Sequence, residues 1–490
     1  MRKMTYYIKP AVVLVLLLGF LLGGCSQVEL DENPPSLLNP DNFFKTQSEF
    51  EVALAGAFRP LYANWEGFDY AYPLIMTSGA EDVRSDAGIF MDLNRLSANG
   101  NDQSIIAVWK NFYQTISNAN AIIGNLKNAE EISEEKLNEI EGQAKFIRAL
   151  SYFYLVRWFG EVQITTFENQ KDAENIRQSS VEEVYADIIS NLKDAEEKLP
   201  VSFEEKGRPT QGAAKALLAK VYLTMAGWPL EKTENYALAK EKAGEVMGMY
   251  NLEADFADLW KADNKLTNSE FIFAFYGSIM DGGVSASHLH TASRHWGNGE
   301  GGWGDFFSED RFYNIFPDGP RKEASFTAVF ADGTTWEEAG VQPHIAKYRD
   351  AGETVAGGLA GEGFNVILRY ADVLLMYAEA ANMADGGPSA EALEAINKVR
   401  RRAMGLDINT PDASVDLLSG ISSLEFDKAV IEERNWELAF EMNRWFDLVR
   451  KKMVVEVNKD LHPHVTENNR LLPKPSAQLI PGILEQNPGY

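Results

Sequence analysis

The sequence predicts a mainly α-helical protein in which paired helices carry a second, irregular part that is rich in aromatic residues. Apolar residues recur at helical spacing over most of the chain, and Gly/Pro turns separate successive helices. Two long stretches, 64–103 and 250–368, lack that periodicity. With 490 residues, of which 45% are hydrophobic and 11% aromatic, the chain can bury a large core.

Each helix is recognised by its apolar stripe and its terminal signals. Between Thr210 and Ala226, apolar side chains fall at i, i+3, i+4, i+7, i+8 and i+11, and Thr210 is the predicted N-cap. Residues 227–229, Gly-Trp-Pro, end that helix. A second stripe starts at Arg369, and the turn ADGGPS (384–389) separates it from a helix that Gly405 ends.

Four pairs of such helices are predicted, each joined by a turn or loop. They cover about 46–63 with 104–127, 134–159 with 180–199, 211–226 with 233–248, and 369–384 with 389–404. Pairs that stack on one another bury their apolar faces, which favours a tetratricopeptide-like array with one more long helix over about 424–452. Only SEFIFAFYGS (269–278) has the pattern of a β-strand.

The N-terminus has the pattern of a secretion leader. Arg2, Lys3 and Lys9 precede an apolar run over 11–22, which is shorter than the ~20 residues of a membrane-spanning helix. The run leads into LGGC (22–25), which resembles the bacterial lipobox, and Cys25 is the only cysteine. The resemblance implies a lipoprotein signal peptide over 1–24, lipidation of Cys25 and a tether over 25–40. The alternative is an ordinary signal peptide followed by an idle cysteine.

Six segments along the remaining chain carry motifs that occur together in one family. They are AKFIRALSYFYLVRWFGEV (144–162), RPTQGAAKALLAKVYL (208–223), LRYADVLLMYAEAAN (368–382), AINKVRRRAMG (395–405), IEERNWELAFEMNRWFDLVR (431–450) and PKPSAQLIPGILEQNPGY (473–490). In this order they resemble the SusD/RagB family of outer-membrane nutrient-binding lipoproteins, although Gln163 stands where that family usually has proline. The resemblance implies a single SusD-like domain over 41–490, whose irregular cap lies mainly in 64–103 and 250–368.

The resemblance also implies a function. SusD-like proteins are non-catalytic lipoproteins that capture oligo- or polysaccharides and pass them to a SusC-type TonB-dependent transporter. The acidic residues Glu29, Asp31 and Glu32 resemble the surface-export signal of Bacteroidetes lipoproteins, which implies an outer-membrane position facing the cell exterior. No cofactor or metal is expected, and the membrane is reached through the lipid anchor only. The formal charge of −26 disfavours nucleic acid as a partner, because nucleic acid attracts clustered Lys and Arg.

The stretch ASRHWGNGEGGWGDFF (292–307) is the best candidate for the sugar site. Its glycines exclude a stable helix, and its tryptophans can present a flat face to the C–H face of a sugar ring. The loop NWEGFDYAYP (64–73) is expected to form the other wall, and SGAEDVRSDAG (78–88) to supply groups that bond hydroxyls. The predicted glycan-binding residues are Trp65, Tyr70, Tyr72, Asp82, Arg84, Trp296 and Trp303.

Other functions leave different signatures. A glycoside hydrolase would need two carboxylates roughly 5–10 Å apart, for which the candidates are Glu81, Asp82, Asp92, Glu300 and Asp305. A peptide-binding scaffold would bury its aromatic rings. The histidines at 288, 290 and 295 suit hydrogen bonds in a loop better than a metal site, because no further ligand is specified nearby. The acidic residues over 432–447 are expected to form structural ion pairs with Arg400–Arg402 or with helix ends.

Overall fold

The computed structural model describes residues 43–62, 67–68, 72–278, 287–293, 301–350, 352 and 361–490. The predicted leader (1–24), Cys25 and the tether (25–40) lie outside these ranges. Within them, no helix combines the length and the apolar character that crossing a bilayer requires.

The longer helices form the body of the protein. They are α1 (Gln47–Tyr62), α2 (Gln103–Asn125), α3 (Glu134–Phe159), α4 (Val181–Lys198), α5 (Gln211–Met225), α6 (Asn235–Val246), α7 (Tyr370–Asp385), α8 (Ala390–Ala403), α9 (Ser423–Glu437) and α10 (Arg444–Arg450). Helix α1 packs on α2, α3 on α4, α5 on α6 and α7 on α8, and neighbouring pairs also pack on each other. The predicted fold class, a mainly α-helical array of helix pairs, is therefore confirmed.

Local sequence signals set the ends of these helices. The Thr210 hydroxyl accepts the Ala213 N–H at 3.2 Å and caps α5, as its position before the apolar stripe predicted. Ser180 with Glu183, and Ser422 with Glu425, form capping boxes at the starts of α4 and α9. Helix α7 ends at Gly386, which has a φ of 75°, a left-handed conformation that glycine adopts without a steric penalty.

Short elements fill the cap and the connections. The short α-helices are Tyr72–Ile75, Met91–Asn94, Ser287–Thr291, Asp310–Ile315, Pro320–Ser325, Trp336–Ala339 and Val454–Asn458. The 3-10 helices are Leu126–Asn128, Gln170–Asn175, Phe256–Trp260, Ala262–Asn264, Glu467–Arg470 and Ser476–Gln478. The strands are β1 (Arg84–Ser85), β2 (Phe271–Tyr276), β3 (Phe306–Phe307), β4 (Phe326–Thr327), β5 (His344–Ile345) and β6 (Phe364–Arg369).

Two small antiparallel sheets organise the cap. One has the strand order β1-β3-β5-β4, and the other pairs β2 with β6. The sequence pattern predicted β2 but missed β6. Both strands are almost fully buried, but β6 continues directly into α7 with no turn residue between them to mark where the strand ends.

The predicted long helix over 424–452 is wrong, because the chain breaks between α9 and α10. Phe440 and Met442 there have φ values of 68° and 60°. Tertiary hydrogen bonds replace those of the helix: Asp82 accepts the Phe440 N–H at 2.8 Å, and the Tyr348 hydroxyl donates to the Phe440 carbonyl at 2.8 Å. The break therefore depends on residues that are distant in sequence.

Buried ion pairs fasten the cap to the helical body. Arg369, at the end of β6, donates to Glu270 at 2.9 Å, to Glu437 at 2.6 Å and to Glu441 at 2.7 Å. Arg402 also bonds Glu270 and Glu437, at 3.0 Å and 2.5 Å. This network confirms the structural role expected for the acidic residues over 432–447, although most of its cations lie outside Arg400–Arg402.

Candidate functional site

The structure joins the two cap loops in which the sugar site was predicted. Strand β1 of the first loop pairs antiparallel with β3 of the second, placing Arg84 opposite Phe307 and Ser85 opposite Phe306. The Ser287 hydroxyl adds a link by donating to the Phe68 carbonyl at 3.1 Å. Residues more than 200 positions apart in sequence thus meet at one place in the fold.

Two backbone hydrogen bonds draw together the chain on either side of residues 294–300. Gly302 N–H donates to Ser293 O at 2.9 Å, and Trp303 N–H donates to Leu289 O at 2.6 Å. A Cβ at position 302 would collide with the Ala292 carbonyl oxygen, so this approach requires glycine. The Trp303 backbone is therefore held against the short helix Ser287–Thr291.

Five rings form what we call the aromatic cluster: Tyr72, Phe90, His290, Trp303 and Phe306. Trp303 meets His290 edge-on with centroids 4.7 Å apart, and His290 stacks on Phe306 at 5.0 Å. Phe90 contacts Phe306 at 5.2 Å and Tyr72 at 5.6 Å. Phe90 and Phe306 are buried, while Tyr72 and Trp303 are half-buried at the surface. The cluster thus has a rigid base and two partly accessible rings.

His290 is fixed inside the cluster by a carboxylate. Its Nδ1 lies 2.8 Å from Oδ2 of Asp305, and only 5% of the residue is exposed. The expected hydrogen-bonding role of this histidine is confirmed, but His288 and His290 belong to a short helix and not to a loop. Among the described residues, no group of three His, Cys, Asp or Glu side chains is placed to hold a metal ion.

Of the seven residues predicted to bind glycan, Tyr72 and Trp303 lie in the aromatic cluster. Trp65, Tyr70 and Trp296 lie outside the described residues, as does Glu300 of the hydrolase alternative. Phe90 and Phe306 were not predicted. Each is a phenylalanine that comes shortly after Gly and Asp residues. This pattern does not distinguish a residue of a binding site from any other buried ring.

Asp82 and Arg84 belong to the scaffold, which corrects the expectation that they bond sugar hydroxyls. They are 2% and 5% exposed. Arg84 pairs with Glu309, donates to the Ser78 carbonyl and reaches the Asn458 side chain at 3.3 Å. Asp82 accepts the Phe440 N–H, and its burial raises its pKa to about 6. The sequence of residues 82–84, Asp-Val-Arg, is typical of an exposed polar loop. The segment is buried because Asp82 and Arg84 bond groups that are distant in sequence.

The described carboxylates that were candidates for a hydrolase site bond other protein groups or, in the case of Asp92, are exposed at the surface. Glu81 is buried and accepts from Arg444 Nη2 at 2.5 Å. Although burial alone would raise it, the pKa of Glu81 is held below its ordinary value by Arg444. Asp305 binds His290, and Asp92 is exposed on the helix Met91–Asn94. Of these described carboxylates, Asp305 contacts the aromatic cluster, through its bond to His290.

Family models match two parts of the chain. Residues 30–223 match a model described as "Starch-binding associating with outer membrane", and residues 323–480 match the SusD family model. A relative over the whole length is SusD-like protein P2 of Formosa agariphila, which is 29% identical and aligns with 98% of this chain and 100% of its own.

Solved structures share the same fold. A SusD homolog from Bacteroides thetaiotaomicron superposes with a TM-score of 0.81 at 24% identity, covering 92% of this chain and 98% of its own. A laminarin-binding SusD-like protein superposes with a TM-score of 0.72 at 25% identity, covering 91% of this chain and 100% of its own. These similarities extend across both the helical body and the cap.

Proposed function

Because the chain belongs to the SusD/RagB family, we propose that it binds an oligo- or polysaccharide and delivers it to a SusC-type TonB-dependent transporter. The observation that carries the proposal is the aromatic cluster, where the two predicted loops converge on half-buried rings above a buried base. A platform of this kind suits a flexible polymer, because its position is set by the scaffold before the ligand arrives.

The chemistry of the cluster matches that of a sugar ring. The faces of Trp303 and Tyr72 can pack on C–H groups, and the indole N–H and phenol hydroxyl can bond to ring hydroxyls. The His290–Asp305 pair holds the base of the site by a charge-assisted or neutral hydrogen bond. Trp65, Tyr70 and Trp296, which border the same two loops in sequence, belong to the proposed platform.

Binding without hydrolysis is the proposed activity. A glycosidase requires a free pair of carboxylates across its cleft, whereas Glu81 and Asp82 are buried and bonded to protein groups. The half-buried rings also favour a ligand site over a scaffold whose aromatic residues are entirely internal. We expect a dissociation constant in the micromolar to millimolar range, about −4 to −8 kcal/mol, which permits release to a transporter.

The proposed location is the outer face of the outer membrane. Lipidation at Cys25 would anchor the chain, the tether over 25–40 would space it from the bilayer, and residues 41–490 would form one SusD-like domain. Stable anchoring takes two membrane signals, and two acyl chains on one cysteine would supply them. Dense display at a surface would raise the apparent affinity for a polymer by avidity.

An affinity-gel screen tests the proposal. Residues 26–490 retain every described residue, so this form is run through native gels that contain laminarin or other neutral and acidic polysaccharides, with a polysaccharide-free gel as the control. Reducing ends are measured in the same samples. Retardation without release of reducing ends is expected. Release of reducing ends would contradict the non-catalytic role, and unchanged mobility across the whole panel would contradict glycan binding.

A further inference from the structure

A cavity of about 320 Å³ lies in the helical body, among elements other than those of the aromatic cluster. The C-terminal end of α3, the start of α4, the segment after α5, helix α10 and the C-terminal residues 471–488 enclose it. Its lining includes Arg157, Tyr185, Trp228, Phe446, Leu471 and Lys474. This volume is at the lower end of the range for small-molecule pockets, roughly 300–1,000 Å³.

Arg157 brings to the cavity a buried positive charge that has no salt bridge within the described part of the chain. It is 7% exposed, and its guanidinium carbon lies 3.6 Å from the ring centroid of Phe446 and 3.7 Å from that of Phe153. Its Nε donates to the Phe153 carbonyl at 2.9 Å. In the described part of the chain no carboxylate forms an ion pair with it, and burial lowers its pKa to about 10.

Lys474 supplies a second buried cation. It is 1% exposed, and its Nζ donates to the Gln178 side chain at 3.0 Å and to the Glu485 carbonyl at 2.7 Å. Its hydrogen bonds therefore go to neutral acceptors, while the carboxylates of Glu161 and Glu485 attract it without bonding to it, and burial lowers its pKa to about 8. A buried charge held only by neutral groups and rings is costly unless an anion approaches it.

Neighbouring cations show how the protein compensates buried charge elsewhere. Arg450, which also lines the cavity, bonds Glu379 at 2.7 Å and Asp447 at 2.8 Å. Asp447 also accepts from Arg434 at 2.8 Å, and its charge acts on Arg157 through space without forming an ion pair with it. The acidic side chain in the lining, Glu161, is exposed and bonded to Gln178. Among the described residues, Arg157 and Lys474 thus have no direct salt bridge, in a chain with a formal charge of −26.

The remaining wall of the cavity is largely apolar. Besides the rings of Trp228 and Phe446, the other apolar residues that line it are Val156, Val181, Pro229, Val449, Leu471 and Pro488. A ligand that satisfies both parts of the lining has an anionic head and an apolar body. A carboxylate also matches the planar fork of a guanidinium.

From this arrangement we propose that the cavity binds a small organic carboxylic acid with a flat apolar body, held by Arg157 and Lys474. The site is separate from the aromatic cluster and does not depend on the proposed glycan. Its acid would enter as the carboxylate and leave unchanged, since binding involves no covalent step.

Calorimetric titration of residues 26–490 with phenylacetate at pH 7 tests the proposal, with neutral phenylacetamide as the isosteric comparison. We expect phenylacetate to bind at least tenfold more tightly than the amide. Equal affinities would overturn the role of the two cations, and the absence of phenylacetate binding would overturn the site. Tighter binding of glucuronate, a polar carboxylate, than of phenylacetate would contradict the proposal that the ligand has an apolar body.

Two variants locate the bound acid. Lys474→Met removes one cation, and Val181→Trp fills the cavity without touching either cation. Each is expected to weaken phenylacetate binding at least tenfold, while glycan retardation in gels is unchanged. Lys261→Met and Val52→Trp make the same changes at exposed positions and serve as controls. If Lys474→Met fails to fold, Val181→Trp decides, and unchanged affinity in the folded Val181→Trp protein would overturn the assignment.

Discussion

The imidazole ring of His290 meets the indole ring of Trp303 edge-on, with their centroids 4.7 Å apart. The same imidazole stacks on Phe306 and bonds Asp305. His290 therefore sets the orientation of Trp303. Of the two tryptophans predicted as glycan-binding in 292–307, Trp303 is the one that lies within the described residues. It acts as a positioning residue, because it is itself buried.

Replacing His290 is expected to weaken glycan binding indirectly. His290→Ala removes the stack and the Asp305 bond, so Trp303 loses its support, and the glycan dissociation constant should rise about threefold to tenfold, or 0.7–1.4 kcal/mol. His290→Asn can keep a bond to Asp305 and should recover part of the affinity. Calorimetric titration measures both effects.

His344→Ala is the matched control for His290. It removes another buried cap histidine, whose Nδ1 bonds Gln342 O at 2.8 Å and which lies outside the aromatic cluster. It should alter thermal stability without changing glycan affinity. Equal loss of affinity in the His290 and His344 variants would show that only general cap stability matters.

Asp82 should give a measurable pH dependence of stability. Burial raises its pKa to about 6 in the native state, whereas an unfolded aspartate has a pKa of 3.8. The native state therefore binds the proton more tightly, and this stabilising contribution is lost as pH rises from about 4 through 6. The free energy of unfolding of Asp82→Asn, minus that of the wild type, should increase by about 2.5 kcal/mol between pH 4 and 7.5.

Urea denaturation of both proteins across that pH range measures the difference. Titrating groups that are distant from Asp82 contribute equally to the two proteins and cancel. A difference that is constant with pH would contradict the raised pKa. Glycan affinity of the folded variant at pH 7.5 should equal that of the wild type, because Asp82 lies in the scaffold.

Glu437 tests whether the buried acidic network is structural. It bonds Arg321 at 2.9 Å, Arg369 at 2.6 Å and Arg402 at 2.5 Å, and it is fully buried. Glu437→Gln leaves these cations undercompensated and should lower the free energy of unfolding by about 3–5 kcal/mol. Glu135→Gln, at an exposed position of α3, should change it by less than about 0.5 kcal/mol.

Chemical denaturation measures both glutamate variants. Glycan affinity of the folded fraction should be unchanged in each. A Glu437→Gln protein as stable as the wild type would contradict the structural role, and a selective effect on a polysaccharide-degrading activity would point to catalysis.

Cys25 tests the proposed anchor. The full-length chain expressed in a bacterium with lipoprotein processing should partition into the detergent phase and incorporate labelled palmitate. Cys25→Ala should lose both properties, while Ser26→Ala should keep them. Incorporation of labelled palmitate into the Cys25→Ala protein, or its absence from the wild type, would contradict lipidation at this residue.

The helical body was predictable from the sequence because its signals are local. Thr210, the Gly386 turn and the apolar stripe of α5 each specify an element within a few residues. Strand β6 was missed because it runs directly into α7, with no turn residue to mark its end. The break after Glu437 was missed because its cause, the bond between Asp82 and the Phe440 N–H, joins residues 358 positions apart.

The candidate site was predictable only in part. Glycine and tryptophan in 292–307 indicate a presented loop, and Trp303 does lie at the surface with Tyr72. Composition does not reveal whether a loop charge is exposed, however. Asp82 bonds Phe440 and Arg84 reaches Asn458, and such long-range pairs form only when the whole chain is assembled.

Calorimetric titration of the glycan identified in the gel screen into wild type, Trp303→Ala and Trp336→Ala tests the central claim most directly. Trp336 is a half-buried cap tryptophan that contacts Tyr313 and lies outside the aromatic cluster. We expect Trp303→Ala to weaken binding at least tenfold, about 1.4 kcal/mol, and Trp336→Ala to bind as the wild type does. Trp296→Ala, the sequence-based prediction, should behave like Trp303→Ala. A folded Trp303→Ala protein with unchanged affinity would contradict the assignment of the aromatic cluster as the glycan site.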